Sequence, residues 1–510
     1  MNALGYIALF AWPIAAIALA VWLRVPRAVV AACVIAWLFL PEGGLNFPGP
    51  LDLSKINVTT ISMLAGLLLM DSRRVLSIRW SWADTPIAVL CVSSFFSSLS
   101  NGLGAYDGLA ESLAKTFSWG VPWLVGRACF TSLADLRILA LGIVLGGLAY
   151  VPFCLYEVRM SPQLHRIVYG FFPHDEFAQT RRFGGFRPNV FMQHGLMVGM
   201  WMCMAALVAA WLWLGGKTRA LLGVPMWLAV GAQVATAILC KSAGAIVLMF
   251  AGGGVLAFSR VTRTRLALLV IAVLPLAYVG YRVMDGPTKA LVDAVATVPI
   301  LSQRVDSLDY RFEAEGILMD HALKRPLFGW GGYARHRPLN DDGEELARTD
   351  SLWVIILGQN GIVGLVALYL ALALPLWSVA RRVPAAALLS PPAAPLLILA
   401  LVVALFACDS LFNAMFNPVY VMAAGGVIAT IHAMQRAARK PVLRGPTGSG
   451  PNGPGNPSDP RADPLARPNG PQPTLSISAL RPTGTQAAHI TPSMRALPNP
   501  IPISRFQTGQ

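Results

Sequence analysis

Three arginines crowd a pair of glycines in Arg181-Arg182-Phe183-Gly184-Gly185-Phe186-Arg187-Pro188-Asn189, which runs on through Phe191-Met192-Gln193-His194 into a long apolar stretch. Guanidinium groups grip phosphate oxygens in forked pairs, and glycines let a backbone come close to a ligand. The pattern suits a phosphate-bearing ligand; arginines that merely solvate a loop or touch lipid headgroups are the plainer alternative. A second polar region holds Asp309-Tyr310-Arg311-Phe312-Glu313-Ala314-Glu315-Gly316, then Met319-Asp320-His321-Ala322, then Lys324-Arg325-Pro326-Leu327-Phe328-Gly329-Trp330-Gly331-Gly332. Its first part predicts an amphipathic helix with Tyr310, Phe312, Ile317 and Leu318 among the apolar residues, stopped by Pro326 and the glycines. Such a helix lying along a membrane face would turn Arg311 toward a lipid-borne phosphate. The competing use of Arg311 is an ion pair with Glu315, four residues on.

His321 and His336 are the histidines of this region, each either a proton-transfer group or a surface or packing residue. Lys241, in Cys240-Lys241-Ser242-Ala243-Gly244, sits between two apolar runs, where it either snorkels to the interface or adds a phosphate contact. Asp409 falls in a late apolar run, where a carboxylate is costly unless paired or near water; helix packing is its first reading and a cavity lining its second. The chain has no HExxH or paired-cysteine metal spacing, no GxGxxG, no P-loop and no GxSxG. Chemistry here would use no bound nucleotide, and no metal ligand set or cofactor is expected. The seven cysteines lie in or beside apolar runs and read as packing residues.

The elements that must position these groups are membrane helices. Of 510 residues, 55% are hydrophobic and 13% charged, against about 25% charged in soluble domains. The formal charge of +15 is scattered between apolar runs rather than gathered on a polar surface, which excludes a nucleic-acid module as well as a soluble enzyme. Thirteen stretches are candidates for spans. They are 3–23, 28–40, 56–70, 86–99, 117–130, 136–155, 190–214, 221–238, 243–258, 266–281, 351–377, 394–412 and 419–434. The expected fold class is all-α, a polytopic transmembrane helix bundle of about 12–13 spans with a large late periplasmic loop containing short amphipathic helices.

With the N-terminus outside, the cytoplasmic loops collect Arg24, Arg27, Arg73, Arg74, Arg79, Arg127, Arg137, Lys217, Arg219, Arg260, Arg263, Arg265, Arg381 and Arg382. The short external loops keep only Lys55, Lys115 and Lys241. Both long loops, 159–189 and 284–350, then face outward. The expected organisation is an N-terminal bundle 1–283, the large loop 284–350, C-terminal helices 351–435, and a basic Pro/Gly-rich tail 436–510. The tail's composition predicts disorder, on the cytoplasmic side.

One late external loop, an arginine-bearing loop before the seventh span, Lys324–Gly332, and Asp350-Ser351-Leu352-Trp353 leading to Leu357-Gly358-Gln359-Asn360-Gly361-Ile362-Val363-Gly364-Leu365 resemble the O-antigen ligase/polymerase superfamily over about residues 1–435. Lys241-Ser242 falls where that family often has a Ser-Arg pair. The resemblance implies a metal-independent inverting glycosyltransferase of the bacterial inner membrane. Its substrate is an undecaprenyl-diphosphate-linked oligosaccharide, used on the periplasmic face; its other partners are a glycan or lipid acceptor, the bilayer and other polysaccharide-assembly proteins. It also implies that Arg182 or Arg187, with Arg311, holds the diphosphate. Ligases of the family usually have a histidine where this chain has Asp350-Ser351. Asp350 can still act as general base on an acceptor hydroxyl, so a polymerase of surface or exopolysaccharide is favoured over a ligase acting on lipid A core or protein. The rival of another class is a transporter or flippase of the same lipid-linked glycans.

Overall fold

The structure, a computed structural model, describes residues 1–45, 51–174, 177–182, 184–284, 286–288, 292, 293, 297 and 305–439. Beyond Arg439, the tail anticipated from composition lies outside the described residues. Met1–Pro441 forms one unit.

Apolar chain that cannot turn its amides to water must satisfy them internally, and the helix does so within one segment. The helices are α1 (Ala3–Trp22), α2 (Val25–Phe39), α3 (Lys55–Leu76), α4 (Thr85–Ser100), α5 (Ala105–Lys115), α6 (Val121–Cys129), α7 (Leu133–Met160), α8 (Leu164–Tyr169), α9 (Gly195–Leu214), α10 (Met226–Leu239), α11 (Ala243–Thr262), α12 (Leu266–Val283), α13 (Val305–Ala322), α14 (Leu352–Arg382), α15 (Ala394–Asp409) and α16 (Pro418–Arg439). Every one of the thirteen apolar stretches carries a helix. Among the described residues, eight helices are long and apolar enough to cross a membrane, and α2 and α10 are shorter apolar helices. The protein is a polytopic helix bundle. Among the described residues the strands are three hairpins of two-residue strands, β1–β2 (Gly44–Leu45, Leu53–Ser54), β3–β4 (Arg181–Arg182, Gly185–Phe186) and β5–β6 (Ala220–Leu221, Val224–Pro225).

The centre belongs to α9 and α15, whose residues are almost all buried, with Trp201, Phe406 and Tyr420 packed between helices. By contrast α1 leaves Leu4, Ile7, Phe10, Ile14 and Val21 exposed, and α11 leaves Val247 and Phe250. Such faces are stable against lipid rather than water. Helices α6 and α16 cross where Gly126 faces Gly425 and Gly426; a Cβ on Gly126 would stand 2.1 Å from the Met422 carbonyl oxygen. Small residues of this kind let membrane helices approach closely. The stretch from 117 to 130 is the far half of a longer helical run, joined to α5 by a π turn at Thr116–Gly120. All seven cysteines are free and buried.

Two local devices hold the polar loops. Glu157, at the end of α7, is fully buried and accepts the backbone N–H groups of Leu164, Asn189 and Val190 at 2.7–2.8 Å, fixing the chain that leads into α9. In α14, Gly361 adopts φ 63°, ψ −166°, a conformation essentially confined to glycine. At that break Ile362 N–H donates to Pro326 O (2.7 Å), while Trp330 N–H donates to Gly358 O (2.8 Å) and Gly331 N–H to Gln359 O (3.1 Å). The two stretches that carry the family resemblance are thus laced to each other backbone to backbone.

Helix α13 forms where the amphipathic pattern predicts it, and it packs on α14. Phe312 and Leu318 are buried as expected, but Tyr310 and Ile317 are exposed, and Ala314, Glu315 and Met319 take the inward face instead.

Candidate functional site

The arginine loop is a hairpin. Arg181 pairs with Phe186 and Arg182 with Gly185 around a turn in which Gly184 has φ 69°. Lys241, between α10 and α11, passes beneath it and donates from Nζ to the Arg182 carbonyl oxygen at 3.0 Å. A Cβ on Gly185 would lie 2.3 Å from Nζ, so the tip of the lysine passes close against this glycine. Arg187 is buried, 4% exposed; its N–H donates to Thr180 O (2.7 Å) and its Nη2 to Lys241 O (3.4 Å). Its aliphatic stem lies against Gly195, where a Cβ would come within 2.3 Å of Arg187 Cδ. The Arg182 Nε is buried without a partner. An open recess is bordered by Arg181, Arg182, Gly184, Gly185 and Phe186.

His194 ties this loop to the next. Its Nδ1 accepts the Leu196 N–H at 3.1 Å and so caps α9, while its ring lies 4.8 Å from that of His174. Burial, then the charges of Arg187, His174, Arg182 and Arg311, push the His194 ring down to about 3. It is a neutral acceptor at ordinary pH. The same facts locate the arginines: Arg182 and Arg187 from one loop and Arg311 from the other bear on a single imidazole.

Arg311 does not pair with Glu315. Its Nη2 lies 3.7 Å from Asp350 Oδ2, and its Nη1 donates to Phe412 O at 3.2 Å. Glu315 points the other way, fully buried, toward Arg282 (3.5 Å), and accepts the Ser351 hydroxyl. Burial raises the Glu315 carboxyl above its ordinary value, opposed by Ser351, Arg282 and Arg311. Removing one member of such a buried pair is far costlier than never having built it. Ser351 follows Asp350, and the next N–H, of Leu352, donates to Ser410 O at 3.0 Å. Glu315 thereby fixes the start of α14 and with it Asp350. Asp409, at the end of α15, accepts from Asn413 Nδ2 (2.8 Å) and feels the Arg311 charge.

The structure places the two histidines elsewhere. Along α13, Arg311 and His321 are ten residues apart, about 15 Å at 1.5 Å per residue. The His321 ring stacks on Trp330, centroids 4.4 Å apart, and Arg325 covers the same indole. His336 is 5% exposed, packed on Gly358, and burial pushes it down to about 4. Around them Arg335 grips Asp107 in a fork (2.7 and 3.0 Å), Ser98 donates to Asp107 (2.7 Å), and Lys115 donates to Gln359 Oε1 (2.9 Å). Of the three predicted proton-transfer residues, Asp350 is the one in contact with Arg311. Among the described residues, no three His, Cys, Asp or Glu side chains are grouped to hold a metal ion.

Residues 228–369 match a protein-family model described as O-antigen ligase. Over that segment the chain is similar to the O-antigen ligase/polymerase superfamily. The matched segment contains Lys241, Arg311, Asp350 and both laced stretches, whereas Arg182, Arg187 and His194 precede it. No curated protein matches the chain. Sequence reasoning missed the role of His194. Its place directly before Gly195 and an apolar run was an N-cap signal, though an uncommon cap residue. Glu315 was seen only as a possible mate of Arg311, and Asp107 and Glu111 carried no local signal.

Proposed function

We propose that this protein is a polysaccharide polymerase of the bacterial inner membrane. It transfers a glycan from undecaprenyl diphosphate to a hydroxyl of an acceptor sugar on the periplasmic face, with the tail from 436 in the cytoplasm. Two observations support the reading: Arg187, Arg182 and Arg311 all act on the His194 ring, and Arg311 lies 3.7 Å from Asp350. In the reaction the anomeric carbon–phosphate oxygen bond breaks, the electron pair leaves with the diphosphate, and the acceptor oxygen bonds to that carbon. Arginines aimed at the phosphates stabilise the departing charge. Asp350 takes the acceptor proton. A single displacement inverts the anomeric centre.

The Arg311–Asp350 contact is long and about half exposed, so it costs little to open. Arg311 can exchange its carboxylate for a phosphate, leaving Asp350 free as base. Lys241 supports the hairpin from below and adds positive charge to the same site.

A ligase is the second reading, favoured by the description of the matched family. Lipid-linked oligosaccharide supplied to the full chain in vesicles distinguishes the alternatives. Glycan of higher mass supports the polymerase, and transfer only to lipid A core or protein supports the ligase. Movement across the bilayer without a new bond would make it a transporter and sink both.

A further inference from the structure

The two polar clusters differ in charge. Arg187, Arg182 and Arg311 all act on His194, and Lys241 supports the Arg181–Arg182 strand from below. Beyond the other end of α13, Lys115, Arg335 and Arg337 are matched by Asp107, Glu111 and Glu345. A balanced cluster has no preference for an anion, but its ion pairs keep lone pairs and N–H groups for hydroxyls.

Three features give this second cluster the shape of a site. Tyr333 is 66% exposed and is backed by the Arg335 guanidinium 5.2 Å from its ring centre, so one aromatic face is held outward. The Glu111 carboxylate lies directly over Gly332, where any Cβ would come within 2.0–2.5 Å of it, and makes no hydrogen bond among the described residues. His336, 95% buried by its 5% exposure, has an Nδ1 without a partner and lies in the field of Lys115. An aromatic face beside a hydrogen-bonding carboxylate is the chemistry that recognises a sugar ring, whose C–H face stacks while its hydroxyls donate.

We propose that Tyr333, Glu111 and the Asp107–Arg335 pair form the subsite for the acceptor oligosaccharide. This rests on the glycan-transfer reading. One molecule would supply phosphate to one cluster while a neutral glycan lies on the other, its reactive hydroxyl directed to Asp350.

The test measures binding without turnover, by calorimetry on the full chain in nanodiscs. The probes are the oligosaccharide released by mild acid from the producing cell's lipid-linked repeat unit and, separately, undecaprenyl diphosphate. Tyr333→Ala and Glu111→Gln are expected to weaken the oligosaccharide at least tenfold and leave the diphosphate unchanged. Tyr333→Phe, which keeps the ring, should retain binding, and Arg182→Ala should show the reverse selectivity. Equal oligosaccharide binding by the wild type, Tyr333→Ala and Glu111→Gln overturns the subsite, as does parallel weakening of both probes. If the selective losses appear but the wild type makes no new glycosidic bond, the transfer reading falls and the glycan site stands.

Discussion

Arg311 and Asp350 meet at 3.7 Å where the loop helix α13 touches the first turn of α14, while Glu315, on the same helix as Arg311, turns inward to Ser351 and Arg282. Neighbouring acidic groups thus receive different work. One carboxylate is half exposed and exchangeable; the other is buried and fixed.

Replacing Asp350 by Asn should therefore leave stability within about 1 kcal/mol, because the pair is largely solvated, and should lower the transfer rate about 100-fold or more by removing the base. Arg311→Ala should give a comparable loss. Turnover of lipid-linked oligosaccharide at matched protein levels measures both, and a normal rate in Asp350→Asn would remove that residue from the reaction.

Gly195→Ala changes no charge yet places a methyl 2.3 Å from Arg187 Cδ. The arginine must swing away from its seat. The expected result is folded protein with transfer reduced at least tenfold, and Arg182→Lys, which loses the forked geometry, should be similarly impaired. Unchanged turnover in Gly195→Ala would show that the position of Arg187 is immaterial.

His194 and His336 are held neutral at about 3 and about 4, below the ordinary histidine value of 6.5. In the unfolded chain they bind protons below about pH 6.5, whereas the folded chain resists until much lower pH. The unfolded state then binds more protons, so stability is full above pH 6.5 and falls as pH drops toward 4. The slope is at most about 1.4 kcal/mol per pH unit for each group. Thermal unfolding between pH 7.5 and 5 should show the decline, and His194→Asn, which retains a capping side chain, should make it shallower. A pH-independent midpoint would contradict both assignments.

Gly361→Ala puts a Cβ 2.2 Å from Leu327 O at a backbone angle alanine scarcely adopts. A loss on the order of 3 kcal/mol follows, visible as a lower unfolding midpoint or failure to accumulate. Gly244→Ala, which meets nothing within 4 Å, is the control.

The helices were legible because a run without charge has one solution in lipid, so each of the thirteen apolar stretches carries a helix. Their ends were less so: the stretch from Val190 begins its helix only at Gly195, since Glu157 holds 189 and 190 in a loop from across the chain. Local spacing offered Arg311 a partner at Glu315, but the rotation of α13 is set by packing on α14, which the helical period alone does not report. The Arg335–Asp107 fork joins residues 228 positions apart. No window of sequence contains it.

Lys241 lies inside the segment 228–369, yet its amino group is spent on the carbonyl of Arg182, which lies before that segment. The recognisable stretch and the unmatched one are thus held against each other. A fragment begun at residue 228 would inherit Arg311 and Asp350 but forfeit the hairpin that Lys241 supports. Exchanging that segment between relatives should succeed only when the hairpin from Arg181 to Arg187 travels with it.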